Sequence, residues 1–584
     1  MLNNLTNYPD LIRLKAIVDV PQDTDLITLG VRNPNFDGNY RPALNTYRDF
    51  ADSILAQVVP GSTNVNVANT LFVDATYGDD ATAEVDDLTK PFETLTAARN
   101  AANSGDVVFV HPGVFTYDNT NATGNQYNGN MDTLVNLWKD GVTYYFAEGS
   151  KIVFANQTIT GQDMYLFRPY SATSFERCNV FGKLQFVGTS IGPDTSGGNT
   201  NFIDGQETAG ATALGYEFNC EMFSSISTVG GFSINRTNTV GSQAIINLTI
   251  DKLINNYAGN GQTGSGAMIV YRTASDVRFN VYAKYIETAY PNPFLLRNTN
   301  LTATFNANVE VIRMFSNLSV IQSQICANKN ISININSCFF NTTILTTLQG
   351  SEVINLSGNF YQASAVSTST IFNVWNSGSA TVNFSGNVFI ASPTPAICYT
   401  QIATQTLNFN GNITINPGVT YTGSLAYNDN GTINFNGNVI GTFAGIIANT
   451  RGASSFTNIT NLSLKGVDGS QLFNNATANN GTTSFVGCKI VLSNSNALVV
   501  TSSGGLYILN SSIKNSGTGK LILSAATVGQ VQILNSSLIV NTALETLTIS
   551  GTIPVTTVNS ATNKVNTITS LSGSFTVLSG ININ

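Results

Sequence analysis

The stretch Val353-Ile354-Asn355-Leu356-Ser357-Gly358-Asn359 returns three times downstream. It reads Thr381-Val382-Asn383-Phe384-Ser385-Gly386-Asn387, then Thr406-Leu407-Asn408-Phe409-Asn410-Gly411-Asn412, then Thr432-Ile433-Asn434-Phe435-Asn436-Gly437-Asn438. The closing asparagines are 28, 25 and 26 residues apart. A weaker relative, Ile508-Leu509-Asn510-Ser511-Ser512, repeats 25 residues later as Ile533-Leu534-Asn535-Ser536-Ser537. A fixed period in this range means stacked supersecondary units, none of which can bury its apolar face alone.

Within each phrase the residues alternate. Ile354 and Leu356, Val382 and Phe384, Leu407 and Phe409, and Ile433 and Phe435 fall on one face, with an asparagine between them on the other. Period two means strand. The Gly-Asn step reads as a turn, because both residues tolerate a left-handed backbone. The repeat is too short for a strand and a helix at each level, and suits about three short strands and three bends. The expected fold is therefore all-β, a parallel β-helix in which one rung lies on the next. Asn359, Asn387, Asn412 and Asn438 are expected to form one vertical column at a sharp bend, with amides bonded up the stack and neighbours about 4.8 Å apart. The outward Asn355, Asn383, Asn408 and Asn434 form either a solvated face or a polar strip suited to sugar hydroxyls, and are candidate binding residues.

Composition agrees with a weakly charged β protein. Hydrophobic residues make up 42% of the 584 and charged residues only 10%, well below the usual ~25%. The net charge of −8 argues against a nucleic-acid partner. Six cysteines (Cys178, Cys220, Cys326, Cys338, Cys398, Cys488) are scattered without a CxxC pair and read as buried thiols. His111 is the single histidine, so a multi-histidine metal site is excluded, and it reads as structural. No cofactor is expected. The first ten residues lack the basic and apolar regions of a secretory signal, and no 18-residue apolar run predicts a membrane span.

Residues 1–68 do not share the repeat and are expected to form a small head. Leu44, Tyr47, Phe50, Ala51, Ile54, Leu55 and Val58 make a helical apolar stripe there. The stripe packs either inside the head or at the axis of an oligomer. Pro60-Gly61-Ser62-Thr63-Asn64 reads as a linker.

The stretch 71–117 opens with Leu71-Phe72-Val73-Asp74 and Tyr77-Gly78-Asp79-Asp80. It continues through Lys90-Pro91-Phe92-Glu93-Thr94-Leu95 and Ala97-Ala98-Arg99-Asn100-Ala101-Ala102. It closes with Gly105-Asp106-Val107-Val108-Phe109-Val110-His111-Pro112-Gly113-Val114-Phe115. This is strand, acidic loop, helix, turn and strand, with Pro91 suited to a first helical position. Phe92, Leu95, Ala98 and Ala102 form an apolar stripe able to plug the open end of a solenoid. The arrangement resembles the start of pectin-lyase-like right-handed parallel β-helices, with their aromatic-Val strand, alanine-rich cap helix, Gly-Asp-x-Val and Pro-Gly-x-aromatic. The resemblance covers residues 71 to about 560 and implies the fold. It leaves activity open, because this fold serves lyases, hydrolases, adhesins and phage tailspikes. A head at 1–68 in front of such a helix resembles the particle-anchoring part of a phage tailspike or fibre.

Beyond the cap, strands near Phe181, Tyr216, Ile245 and Val277 start 35, 29 and 32 residues apart, so loops are expected to protrude there. Those loops carry Gly192, Gly197 and Gly198, and Gly259, Gly261, Gly264 and Gly266. The β-helix is expected over 69–540. Final rungs and a closing β-element follow over 541–584.

Carboxylates bear on catalysis. Of 34 acids, 15 lie in residues 1–106, 14 in 107–299 and only 5 beyond 300: Glu310, Glu352, Asp429, Asp468 and Glu545. Glycoside hydrolysis commonly needs two carboxylates flanking one bond, which the regular half cannot easily supply. Earlier, Asp204 and Glu207 share a loop, Glu217 and Glu221 flank a strand, Asp251 lies about one rung on, and Arg278 a further rung on. Glu221, Asp251, Asp204 and Glu207 are the catalytic candidates if an enzyme is present, with Glu221 and Asp251 as the pair. The polygalacturonase-type signatures Asn-Thr-Asp, Gly-His-Gly and Arg-Ile-Lys are absent, and paired aspartates occur only as Asp79-Asp80 and Asp86-Asp87 in the cap loop. Asp79, Asp80 and Asp86 are candidate metal ligands in that acidic loop, though the spacing fits no EF-hand.

The expected function is a virion attachment or fibre protein that docks to other virion proteins through its head and presents the β-helix to a host surface polysaccharide. It is expected to act outside cells, as a homotrimer, with no membrane insertion. The alternatives are a glycan-depolymerising tailspike, either lyase or glycoside hydrolase, and a bacterial surface adhesin.

Overall fold

The computed structural model describes residues 69–117 and 136–154 and, between 164 and 583, the strands and most of the short bends joining them. The head expected at 1–68 with its apolar stripe, Glu207, and the loops expected at 192–198 and 259–264 lie outside the described residues. The chain is a right-handed parallel β-helix. Most rungs give their first strands to a 28-stranded sheet and their last, from Met164–Phe167 to Gln471–Asn474, to a 12-stranded sheet facing it; later rungs give theirs to a 3-stranded sheet. The recurring phrase sets the register. Ile354 pairs with Val382, Leu356 with Phe384, and Phe384 in turn with Phe409. Alternate side chains then meet inside the solenoid. Val382, Phe384, Leu407, Phe409, Ile433 and Phe435 are all buried. Phe384, Phe409 and Phe435 stack at 4.9 and 4.7 Å, and Phe372 of the opposite sheet packs 4.7 Å from Phe384.

The Gly-Asn step is not the turn expected of it. Val353–Gln362, Thr381–Ile390 and Thr406–Ile415 each run unbroken as ten residues, with the glycine kinking a strand that continues. The strand divides only later, as Gly431–Asn436 and Val439–Phe443. The kink needs glycine for two reasons. Gly358, Gly386 and Gly437 hold φ of 135°, 154° and 149°. A β-carbon on Gly386, Gly411 or Gly437 would also lie 1.6–1.9 Å from the carbonyl oxygen of the glycine in the rung before. Further up, Asn461 and Asn510 take the left-handed conformation at φ 52° and 50°.

The cap forms as the sequence indicates, with one change. Thr70–Val73 pairs with Val107–Val110, which pairs with Thr143–Phe146. The helix, however, is Leu95–Ala101, so Pro91 precedes it instead of opening it. Thr94 is the N-cap, its hydroxyl accepting from the Ala97 N–H at 3.1 Å. Pro91 instead accepts the Asp79 N–H at 3.0 Å, beside a single bridge between Val73 and Phe92. Phe92, Leu95, Ala98 and Ala102 are buried, closing the first rung. Strand spacing in the early rungs also differs from the sequence estimate. The register steps through Asn179, Asn219, Asn247 and Asn280 are 40, 28 and 33 residues. Phe181 pairs with Tyr145, while Tyr216 pairs with Glu176, because the first step holds a longer excursion.

Toward the end, Leu547–Ser550, Val555–Val558 and Ser574–Val577 extend the stack by parallel pairing. Cys178, Cys220, Cys338, Cys398 and Cys488 are buried free thiols, while Cys326 lies outside the described residues. Among the described residues no helix is long and apolar enough to cross a membrane.

Candidate functional site

The outer face of the long sheet is built from the residues that alternate with the core. One column passes through Asn179, Asn219, Asn247, Asn280, Asn308, Ser332, Asn355, Asn383, Asn408 and Asn434. The candidate strip is part of it. Its amides bind one another: Asn383 to Asn355 at 2.8 Å, Asn408 to Asn383 at 2.7 Å and Asn434 to Asn408 at 2.6 Å. Asn458 and Ser484 extend the row. A lower series runs from Asn280 through Asn247 and Asn219 to Asn179 and the Thr143 hydroxyl. The second column also forms, with Asn387 to Asn359 at 2.8 Å and Asn412 to Asn387 and Asn438 to Asn412 both at 3.1 Å. In every one of these bonds the upper residue donates and the rung before it accepts. Each amide has two N–H groups and two lone pairs, so a ladder engages only part of its capacity. The sequence signal for the lower series was the apolar-Asn-apolar triplet of Phe218-Asn219-Cys220, Ile246-Asn247-Leu248 and Phe279-Asn280-Val281.

The catalytic candidates divide between two sheets. Glu217, Glu221 and Asp251 stand on the long sheet, whereas Asp204 ends Thr200–Asp204 in the 12-stranded sheet, where it pairs with Ser233. Glu217 takes the Arg177 guanidinium at 2.7 Å. Asp251 takes the Lys284 ammonium at 2.8 Å. Glu221 lies in register with Thr249, so Asp251, two residues farther along that strand, is its diagonal neighbour on the next rung. Arg278 borders a depression of about 90 Å³ between rungs, where Asp276 is the one lining carboxylate. That carboxylate accepts the Thr304 N–H at 2.6 Å.

The next columns carry a mixed aromatic and charged patch. The Tyr285 hydroxyl donates to Glu287 at 2.8 Å, and the Lys252 ammonium lies 6.0 Å from the Tyr285 ring. Burial first, then Glu287, raises the Tyr285 hydroxyl pKa. Arg313 covers Phe339 at 5.7 Å. Phe339, Tyr361 and Phe389 stack upward at 5.2 and 4.3 Å. Rings stacked this closely offer their edges outward and keep their faces for one another.

The cap-loop carboxylates serve the backbone. Asp80 accepts from the Glu93 and Thr94 N–H groups and the Thr94 hydroxyl, bracing the helix N-cap. Asp79 accepts from Ala81 N–H and Thr82 hydroxyl. Asp86 accepts the Thr70 N–H at 2.8 Å. Among the described residues no three His, Cys, Asp or Glu side chains are grouped to hold a metal ion. His111 packs against Phe109 and Phe72, and burial lowers its pKa while Asp74 works the other way.

Comparison of the chain with protein-family models, curated proteins and solved structures returns no match.

Proposed function

We propose that the chain is a non-enzymatic attachment or fibre protein of a virus particle, whose β-helix presents a rigid polar surface to a host glycan. The observation that carries this reading is the long outer face on which asparagine amides run in hydrogen-bonded columns with few charges among them. Glu217 and Asp251 each hold a cation, and Asp204 stands on the other sheet. Cleaving a glycosidic bond commonly takes two carboxylates about 5–9.5 Å apart across one sugar. A long, weakly charged face of amides and aromatics suits binding instead. The head at 1–68 would dock to the particle, and the assembly would be a homotrimer.

The test is incubation of the purified protein with bacterial envelope polysaccharides, followed by assay for reducing ends and unsaturated products. The expected result is retention of the polysaccharide without cleavage. Cleavage abolished by Glu221→Gln or Asp251→Asn would replace this reading with a depolymerising tailspike.

A further inference from the structure

The 12-stranded sheet carries a second outward column, Asn373, Tyr399, Tyr427 and Asn449, in consecutive register. The tyrosine rings lie 5.3 Å apart at 46° and are half-buried. Two charged residues from the following bends close over them. Asp429 accepts the Tyr399 hydroxyl at 2.9 Å. The Arg451 guanidinium lies 4.7 Å from the Tyr427 ring. Both are fixed by backbone bonds to the rung before, Asp429 N–H to Thr400 and Arg451 N–H to Asn428. They are rare residues here. Arg451 is one of two arginines beyond residue 300, and Asp429 one of five acids.

Above and below the tyrosines, the carbonyl oxygens of Asn449 and Asn373 are buried with no hydrogen-bond partner. Asn449 as a whole is only 4% exposed. Buried acceptors of this kind are rare in native structures and call for a donor. The patch thus brings together a carboxylate, a planar cation and the apolar edges of two tyrosines, flanked by two asparagines whose oxygens lie beneath the surface.

We propose that this patch is a binding subsite for a neutral sugar unit. A sugar hydroxyl can donate to one neighbour and accept from another. It can therefore donate to Asp429 while accepting from Arg451. The ring's C–H surface lies against the tyrosines, which join an apolar body to a polar tip. Asp429 and Arg451 cancel in charge, so the site has no net attraction for an acidic glycan. Burial, then the bond to Asp429, holds the Tyr399 hydroxyl above the ordinary tyrosine range, so it stays a donor.

This inference rests on the glycan-binding reading above, and its test separates the two. The full chain is titrated with cellohexaose, maltohexaose and mannohexaose, and with hexagalacturonate as the acidic probe, by saturation-transfer NMR. The expected result is transfer to at least one neutral hexaose and little to hexagalacturonate. Tyr427→Ala and Asp429→Asn should each weaken that binding at least tenfold. Asp429→Asn conserves shape and covers the case in which Tyr427→Ala disturbs the fold. Neutral binding unchanged in Asp429→Asn, or a preference for hexagalacturonate, would overturn the subsite and leave the glycan-binding reading standing. Failure of the full chain to bind any of the four probes would overturn both.

Discussion

At the scale of single residues, Asn408 shows how the outer face is held. Its amide donates to Asn383 and accepts from Asn434. Asn408→Ala removes both bonds and should cost about 1–3 kcal/mol in urea unfolding. Asn408→Asp separates donor from acceptor. At neutral pH the carboxylate still accepts from Asn434 but faces the Asn383 oxygen without a proton. Below pH ~4 the protonated acid can donate again. Its deficit against the parent should therefore shrink as pH falls from 7 to 3, and a deficit independent of pH would count against the ladder. His111 gives a second pH effect. Its pKa is depressed in the fold by burial, so the unfolded chain binds the proton first. Its contribution is fully present above the ordinary value of 6.5 and is lost as pH falls from there through the depressed value. The protection factor of the Val110 amide, with the intrinsic pH dependence of exchange divided out, should fall at pH 5 relative to pH 7.5, and His111→Gln should flatten that difference. The asparagine columns were legible because their chemistry repeats with the period. Tyr399, Tyr427, Asp429 and Arg451 were not, because they come from different rungs and no short motif joins them.

At the scale of elements, two features read differently in sequence and space. The Gly-Asn step signals a turn by composition, but parallel pairing of the flanking residues carries the strand through it. Glycine is needed there less for a reversal than for the approach of one backbone to the next. Gly411→Ala should therefore be among the most damaging single changes in the solenoid, at roughly 3 kcal/mol or more. Limited proteolysis should find new cleavage close to residue 411 while the cap stays protected. In the cap, proline at a favourable spacing suggested an earlier helix start than the one formed. The threonine three residues on competes better, because its hydroxyl caps the helix and Asp80 braces it. Thr94→Ala should cost about 1 kcal/mol, read as a shift in the unfolding of the cap rungs.

At the scale of the whole molecule, the fold was legible because a solenoid writes its architecture into one repeated sentence. Each rung touches mainly its neighbours, so stability is close to a sum of interfaces. Chemical unfolding should then proceed in more than one step, monitored by exchange of core amides in the cap and in the 381–443 rungs separately. A single concerted transition for both would contradict this. The apolar stripe at 44–58 has its own test. If it joins three copies, deleting residues 1–60 should loosen the trimer in light scattering while the solenoid stays folded.

The asparagine rows are directional, and this gives the molecule an electrical sense. Backbone amides along a strand point alternately up and down the stack, so their dipoles nearly cancel. The side-chain amides do not, since every donor in the rows faces the cap and every acceptor faces away. They add head to tail, as peptide dipoles do along a helix, leaving the capped end relatively positive and the far end relatively negative. Polarisation along such a chain strengthens each link. A rung arriving after its predecessor has folded brings a donor to an acceptor already in place, which favours growth from the cap outward.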